Sequence, residues 1–389
     1  MIIGVDGNEA NVIGRVGIGE YAFQLLTEFE RIYHKDYSGL NRKPASARFE
    51  IYLKQPPSSE LPRSSSSWKY HIFGPKPFWT QIALPVHLRL KKQKPDIFFS
   101  PSHYAPRFSP VPTAISIMDL SYHYFPELFR KKDLYQLTNW TAYSAARASV
   151  IFTISKASKR DIIRIYRVPE EKVVVTYPGV KSFASLTPQV YPIHMLQSTF
   201  AISSPYFLFV GTLQPRKNIV RLIEAFSMVP AASDESKTLL VIVGKRGWLY
   251  EEILEAPRKF GVEERVKFLD SVSDDQLPVL YKNAIAYVLP SLYEGFGLPI
   301  LEAMKYDCPV ITSNVSSLPE AGGDAVLYVD PENSQDIAKK MKELLESKKL
   351  RTQLIEKGKK QVARFSWEKT AQQTLAALED VVQKVNHER

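Results

Sequence analysis

The sequence predicts an α/β protein built as two parallel-sheet domains, and three observations carry that prediction. A chain of 389 residues is longer than one ordinary hydrophobic core serves, so two domains are expected. Two stretches, 2–29 and 284–305, each pass from an apolar run through a glycine-bearing loop into a segment of helical periodicity. Several further short apolar runs end in polar residues, as parallel strands do when their carboxyl ends carry ligand groups.

The first domain opens with the apolar strand 2–6, the cluster Gly14-Arg-Val-Gly17-Ile-Gly19 and a helix over 22–29. The cluster is not the G-x-G-x-x-G of dinucleotide folds, and a plain turn is the simpler alternative. Residues 41–67 are rich in Ser, Pro and Arg around one short strand, 49–53, and read as surface loops with 64–67 mobile. Residues 78–92 read as one basic amphipathic helix. It is either a domain helix with a snorkelling rim or a contact for anionic lipid or a lipid-linked acceptor. The units 96–104 and 113–123 bring His103, Asp119 and His123 to strand ends, where cleft residues sit. A hydrogen-bonded loop residue is the plainer alternative for each imidazole. A helix over 135–148, a strand over 150–155, a helix over 156–166 and the segment 172–180 complete the domain.

Periodicity fades from 181 to 204, which marks a linker. The buried strand 206–211 then runs into Thr212-Leu-Gln-Pro-Arg216-Lys217-Asn218, before a helix over 219–228. A planar guanidinium fork beside a compact ammonium suits a diphosphate. Cations at a helix start oppose its dipole, so their presence suggests a bound anion. Strands 239–245 and 266–270 follow, and 310–313 and 325–330 complete the sheet.

The stretch richest in chemistry is Ser291-Leu-Tyr-Glu-Gly-Phe-Gly-Leu-Pro-Ile-Leu-Glu302, which follows the strand 284–290. Pro290 ends the strand's ladder and Pro299 suits the first turn of a helix. The junction leaves main-chain N–H groups at the positive end of a helix dipole, and Gly295 and Gly297 admit a ligand close to the main chain. An anion is the expected guest. Glu294 precedes the first glycine and Glu302 lies about one pitch into the helix, so two carboxylates bracket the cradle. Carboxylates repel phosphate but accept hydrogen bonds from hydroxyls, an arrangement suited to a nucleotide sugar. The plainer alternative is a tight corner with both glutamates solvated.

Glu294-x7-Glu302 resembles the signature of retaining, nucleotide-sugar-dependent glycosyltransferases of family 4, mannosyltransferases among them, and Gly211-Thr through Arg216-Lys217-Asn218 resembles their donor-phosphate turn. The resemblance spans nearly the whole chain. It implies the GT-B fold, two Rossmann-like domains facing a central cleft. The first would span 1–185, a linker 186–204, the nucleotide-sugar-binding domain 205–365, and a capped helix over 366–389 would return to the first domain. It implies that Glu294 holds the donor sugar's hydroxyls, that Glu302 holds the ribose, and that Arg216, Lys217 and the N–H groups around Gly297 and Leu298 stabilise the leaving diphosphate. Gly17, Gly19, Gly211, Gly244, Leu269, Gly295 and Phe296 would line the donor. Asp119 is a further catalytic candidate, with His103 and His123 on the acceptor side. Many relatives carry His-Asp where this chain has Met118-Asp119, which leaves Asp119 or a neighbouring histidine to compensate.

A hydrophobic content of 44% with 24% charged residues is that of a water-soluble globular protein, and no apolar run approaches the roughly 20 residues needed to span a bilayer. The N-terminus reads as a strand rather than a signal peptide, so a cytoplasmic protein is expected, peripheral to the inner face of the membrane if 78–92 meets lipid. Cys308 alone permits no internal disulfide. With no D-x-D pair and no Cys/His cluster of zinc spacing, no metal or other cofactor is expected, the donor being a GDP-sugar or UDP-sugar. The net charge of +10 attracts anions without selecting among them. A saccharide or lipid-linked acceptor is expected and nucleic acid is not. The rivals are a basic nucleotide- or membrane-binding protein without transferase activity and an NAD-dependent oxidoreductase. The first would gather its charge on one face, and the second lacks its glycine fingerprint and leaves Glu294 and Glu302 without a task.

Overall fold

A computed structural model describes residues 1–15, 17–34, 47–180, 194–230, 237–270 and 272–387. The chain forms two compact units, Met1–Gly179 with Ser366–Arg389, and Val180–Phe365. Each is built on one parallel sheet. In the first the order is β3-β2-β1-β4-β5-β6-β7, with β1 Ile2–Asp6, β2 Arg48–Leu53, β3 Trp68–Ile72, β4 Ile97–Ser100, β5 Thr113–Ser116, β6 Val150–Thr153 and β7 Val173–Val175. In the second it is β10-β9-β8-β11-β12-β13, with β8 Tyr206–Val210, β9 Leu239–Val243, β10 Val266–Leu269, β11 Ala286–Leu289, β12 Val310–Ser313 and β13 Leu327–Val329. Both sheets begin in the middle and wind outward both ways, the Rossmann order. Each therefore has a switch point, β1/β4 in one unit and β8/β11 in the other, outside which ligands bind in such sheets. β4, β5, β6, β11 and β12 are buried at every residue, which is why they read as unbroken apolar runs.

Helix Ile18–His34 buries Tyr21, Leu25 and Phe29 in one core with Ile3, Val5 and Phe49. Helix Trp367–His387 presents Trp367, Ala371, Leu375, Leu378 and Val382 to the same core, a spacing that keeps one helical face inward. The Tyr21 and Trp367 rings meet edge to face at 5.9 Å, and Arg31 pairs with Glu368 at 2.9 Å. Ser366 caps this helix, its hydroxyl accepting the Lys369 N–H at 3.2 Å.

Local details depart from the sequence-based expectations. The helix expected over 22–29 begins at Ile18, which puts Gly19 in its first turn rather than in the loop before it. Residues 64–67 are pinned, not loose: Ser65 and Trp68 exchange main-chain hydrogen bonds at 2.8 and 3.4 Å, because the segment turns into the edge strand β3 that Ser- and Pro-rich composition concealed. Residues 41–46 of that stretch lie outside the described residues. The single helix over 78–92 is instead a π-helical turn, Trp79–Ala83, leading into the α-helix Leu84–Leu90. Pro85 has no N–H and its ring would strike the carbonyl four residues back, which an α-turn there cannot accommodate. Likewise 135–148 contains a π-helical turn, Gln136–Trp140, where the Thr138 hydroxyl and Asn139 amide donate to the Leu134 and Tyr135 carbonyls and compete with the helical ladder. Of the expected linker, His194–Phe200 is a helix, and 181–193 lie outside the described residues.

Candidate functional site

The second unit's switch point is where its charged residues meet. After β8 the chain makes a single turn, Pro215–Lys217, stopped by Asn218 in the left-handed region (φ 60°, ψ 35°), which Asn tolerates. The buried Asn218 amide donates to the Pro290 carbonyl at 2.9 Å and to the Pro331 carbonyl at 2.7 Å. The Leu292 N–H donates to the Arg216 carbonyl at 2.9 Å. The segments leaving β8 and β11 are thus tied together before any charge is counted.

That tie sets Glu294 between two cations. Lys217 Nζ donates to Oε1 at 2.5 Å and Arg216 Nη1 to Oε2 at 3.1 Å, while the Ser291 hydroxyl donates to Oε1 at 2.7 Å. Arg216 also donates to the Tyr293 carbonyl. The Ser316 hydroxyl accepts the Glu294 N–H at 3.0 Å and the Ser317 hydroxyl donates to its carbonyl at 2.7 Å. Glu294 is only 8% exposed. Burial alone would raise its pKa, but the Lys217 and Arg216 charges, with the hydrogen bonds from Lys217 and Ser291, outweigh it and hold the group down to about 2. A carboxylate has about four acceptor positions, so the three side-chain bonds leave about one for a hydroxyl donor. Two cations thus converge on one carboxylate. The helix-start cations are therefore balanced in part by the protein itself, through a residue 78 positions from Arg216 and 77 from Lys217.

Gly297 (φ 99°, ψ 45°) caps helix Leu298–Lys305, and a Cβ there would come within 2.8 Å of the Leu318 side chain. Only glycine meets both conditions. Gly295 and Phe296 are buried, the Phe296 ring lying edge to face with Phe365 at 5.4 Å. Glu302, half-buried one turn into the helix, accepts a hydrogen bond from the Tyr281 hydroxyl at 3.3 Å; burial, then the Glu302 charge, pushes that phenol's pKa up. The tips of β8, β9 and β10 are joined through the main chain, Gly211 N–H to Val243 at 2.9 Å and Gly244 N–H to Leu269 at 3.0 Å. A Cβ on Gly244 would fall 1.9 Å from the Gly211 carbonyl oxygen.

In the first unit, Gly17 is left-handed (φ 53°) and its carbonyl accepts the Tyr21 N–H at 3.0 Å. His103 follows β4, at that unit's switch point, and its buried Nδ1 has no hydrogen-bond partner. Burial pulls its pKa down to about 4, opposed by the Asp119 charge. Asp119 follows β5 and accepts the Ser121 N–H at 2.8 Å. Met118 packs against the core. His123 is exposed, with Nε2 3.3 Å from the Tyr166 hydroxyl, and Tyr122 stands between the two imidazoles at ring separations of 6.2 and 4.8 Å. His103 and Asp119 are thus in electrostatic reach of one another and His123 is apart from them. Sequence reasoning misses Ser316, Ser317 and Tyr281, which lie in segments without a motif; the left-handed φ of 52° at Ser316 is visible only in three dimensions. Among the described residues no group of three or more His, Cys, Asp or Glu is placed to hold a metal ion.

Residues 195–361 match the family model for glycosyl transferases group 1, and residues 40–182 that for Glycosyltransferase Family 4. The O-antigen chain mannosyltransferase B of Escherichia coli is 33% identical over 289 residues, covering 74% of this chain and 75% of that one. The chain belongs to glycosyltransferase family 4. The serotype-specific mannosyltransferase WbdA of Escherichia coli is 31% identical over 227 residues, which are 58% of this chain and 28% of WbdA. Among solved structures, HepE of Anabaena in complex with UDP and glucose matches with a TM-score of 0.72 at 18% identity, covering 97% of this chain and 99% of that one. This family 4 protein is therefore a nucleotide-sugar-dependent glycosyltransferase of the GT-B fold. Membership of the family sets aside the oxidoreductase and the non-enzymatic binding protein.

Proposed function

We propose that this glycosyltransferase moves a hexose of the mannose or glucose type from a GDP- or UDP-sugar to a saccharide or lipid-linked acceptor, with retention of anomeric configuration. The observation that carries this is the buried Glu294 carboxylate held by Lys217 and Arg216 at the second switch point. The donor's diphosphate is read by the guanidinium fork of Arg216 and the ammonium of Lys217, which Glu294 holds in place. As the glycosidic bond stretches, negative charge grows on the diphosphate, and cations already fixed in place stabilise it without reorganising. The N–H groups at Gly297 and Leu298 and the positive end of their helix act in the same direction. The open acceptor position on Glu294 takes a hydroxyl of the sugar, Glu302 takes the ribose, and the glycine-lined tips of β8, β9 and β10 take the base.

On the first unit we assign the acceptor to Asp119 and the neutral His103. In a retaining transfer the acceptor oxygen forms its bond on the face the diphosphate leaves, and its proton passes to the departing phosphate oxygen. With Arg216 and Lys217 neutralising the diphosphate, we propose that no metal takes part; EDTA should leave turnover within about twofold of its starting value, whereas loss of a metal that carried the leaving group would cost several kcal/mol in the barrier. The mannosyltransferase relatives favour mannose, and the HepE complex with UDP and glucose keeps the alternative donor in view. Proton NMR of the product formed from an α-linked GDP-mannose or UDP-glucose tests the proposal. An α-linkage is expected, and a β-linkage would overturn retention.

A further inference from the structure

Residues 78–90 form a rod with two unlike sides. Inward, Trp79, Ala83, Leu84 and Leu88 are buried in one core with Tyr52 and Phe98, and the Trp79 indole donates to the Phe73 carbonyl at 3.1 Å. Lys91, just past the rod, is held by Glu50 at 3.1 Å. Outward, Phe78, Ile82, Val86 and Leu90 recur every fourth residue and are 66, 57, 50 and 78% exposed. Ile82, Val86 and Leu90 lie on the helical turns and make an apolar row about 12 Å long, with Phe78 just before the first turn. The core side already anchors the rod, so the row has no task in folding. Phe108, also 66% exposed, adjoins it, its carbonyl accepting a hydrogen bond from Arg89 at 3.3 Å. Both Phe78 and Phe108 sit at a left-handed φ of 51°, a backbone that bulky residues rarely adopt and that persists where a function uses it.

The charge around the row has one sign. From residue 61 to residue 95 the sequence has no Asp or Glu and seven Lys or Arg. Lys76, Arg89, Lys92 and Lys94 are exposed along the rod or just beyond its ends. The next acid, Asp96, accepts the main-chain N–H of Ile2 at 2.7 Å. No described helix is long and apolar enough to cross a membrane. An apolar row with a cationic rim complements a hydrocarbon layer beneath anionic headgroups. A second copy of this chain would bring the same charge against it and be repelled.

We propose that this face, centred on Ile82, Val86 and Leu90, seats the enzyme on an anionic lipid surface. Flotation of the full chain with vesicles of phosphatidylcholine, with and without phosphatidylglycerol, tests it at low and high salt. The protein should float with anionic vesicles and be released as salt rises. Substituting Ile82→Ser with Leu90→Ser should lower the partition coefficient more than about tenfold, and Lys92→Glu with Lys94→Glu at least as far, each cation near such a surface strengthening binding about fivefold. Melting temperatures should not move, because these side chains face water. Absence of flotation at low salt, flotation unchanged in both variants, or self-association abolished by the Ser pair in sedimentation runs without lipid would each overturn the proposal.

Discussion

The two units share a strand order and differ in how they treat charge at the switch point. In the second, Glu294, Arg216, Lys217 and Ser291 form a buried network whose carboxylate is held ionised. In the first, His103 keeps a buried nitrogen without a partner, Asp119 is occupied in capping Ser121, and His123 turns toward Tyr166. A satisfied network is preorganised before any ligand arrives. An unsatisfied buried nitrogen costs about 1–3 kcal/mol and is retained where an incoming group supplies the missing bond. In the function proposed, the donor side is set in advance and the acceptor side is completed by its substrate.

The largest effect expected is from Glu294→Ala, which leaves two mostly buried cations without their carboxylate. Urea unfolding should show a loss of about 3–5 kcal/mol, and a change under about 1 kcal/mol would mean the network is not closed. Gly244→Ala comes next. Its methyl would press on the Gly211 carbonyl 1.9 Å away, so the tips of β8 and β9 must part, for a loss of about 1–3 kcal/mol and weaker nucleotide binding.

Acidification separates the units most directly. His103 has a folded pKa of about 4, below its ordinary 6.5, so the unfolded chain binds more protons between those values. Its contribution is complete above pH 6.5 and is lost as pH falls toward 4. Glu294, at about 2 against 4.5, contributes above pH 4.5 and loses that support as pH falls toward 2, roughly 3 kcal/mol in all. Amide protection from hydrogen exchange, followed downward in pH, should therefore be lost in the first unit before the second, and the reverse order would contradict the difference in charge between the two switch points. The smallest effect is from His103→Ala, expected to raise KM for the acceptor about tenfold with donor affinity unchanged.

Much of this was legible in the residues. Strands buried on both faces read as apolar runs, and Glu294, Arg216 and Lys217 each stand in a motif whose chemistry suggests an anion. That they bind one another could not be read, because the pairing spans 77 positions and depends on where β8 and β11 lie in the sheet. β3 was hidden by the Ser- and Pro-rich segment before it, and the π-helical turns at Trp79–Ala83 and Gln136–Trp140 depend on Pro85 and on side-chain bonds that periodicity does not register. The first unit's site was the least legible, since Met118 interrupts the motif that would have marked it.

In the function proposed, the cationic turn after β8, held by Glu294, seats the donor's diphosphate. Isothermal titration of GDP and of UDP into the wild-type enzyme and Arg216→Ala tests it. One nucleotide should bind the wild-type protein, and its Kd should rise at least about tenfold in the folded variant, the loss of one charge-assisted bond to phosphate. An unchanged Kd in Arg216→Ala would contradict it.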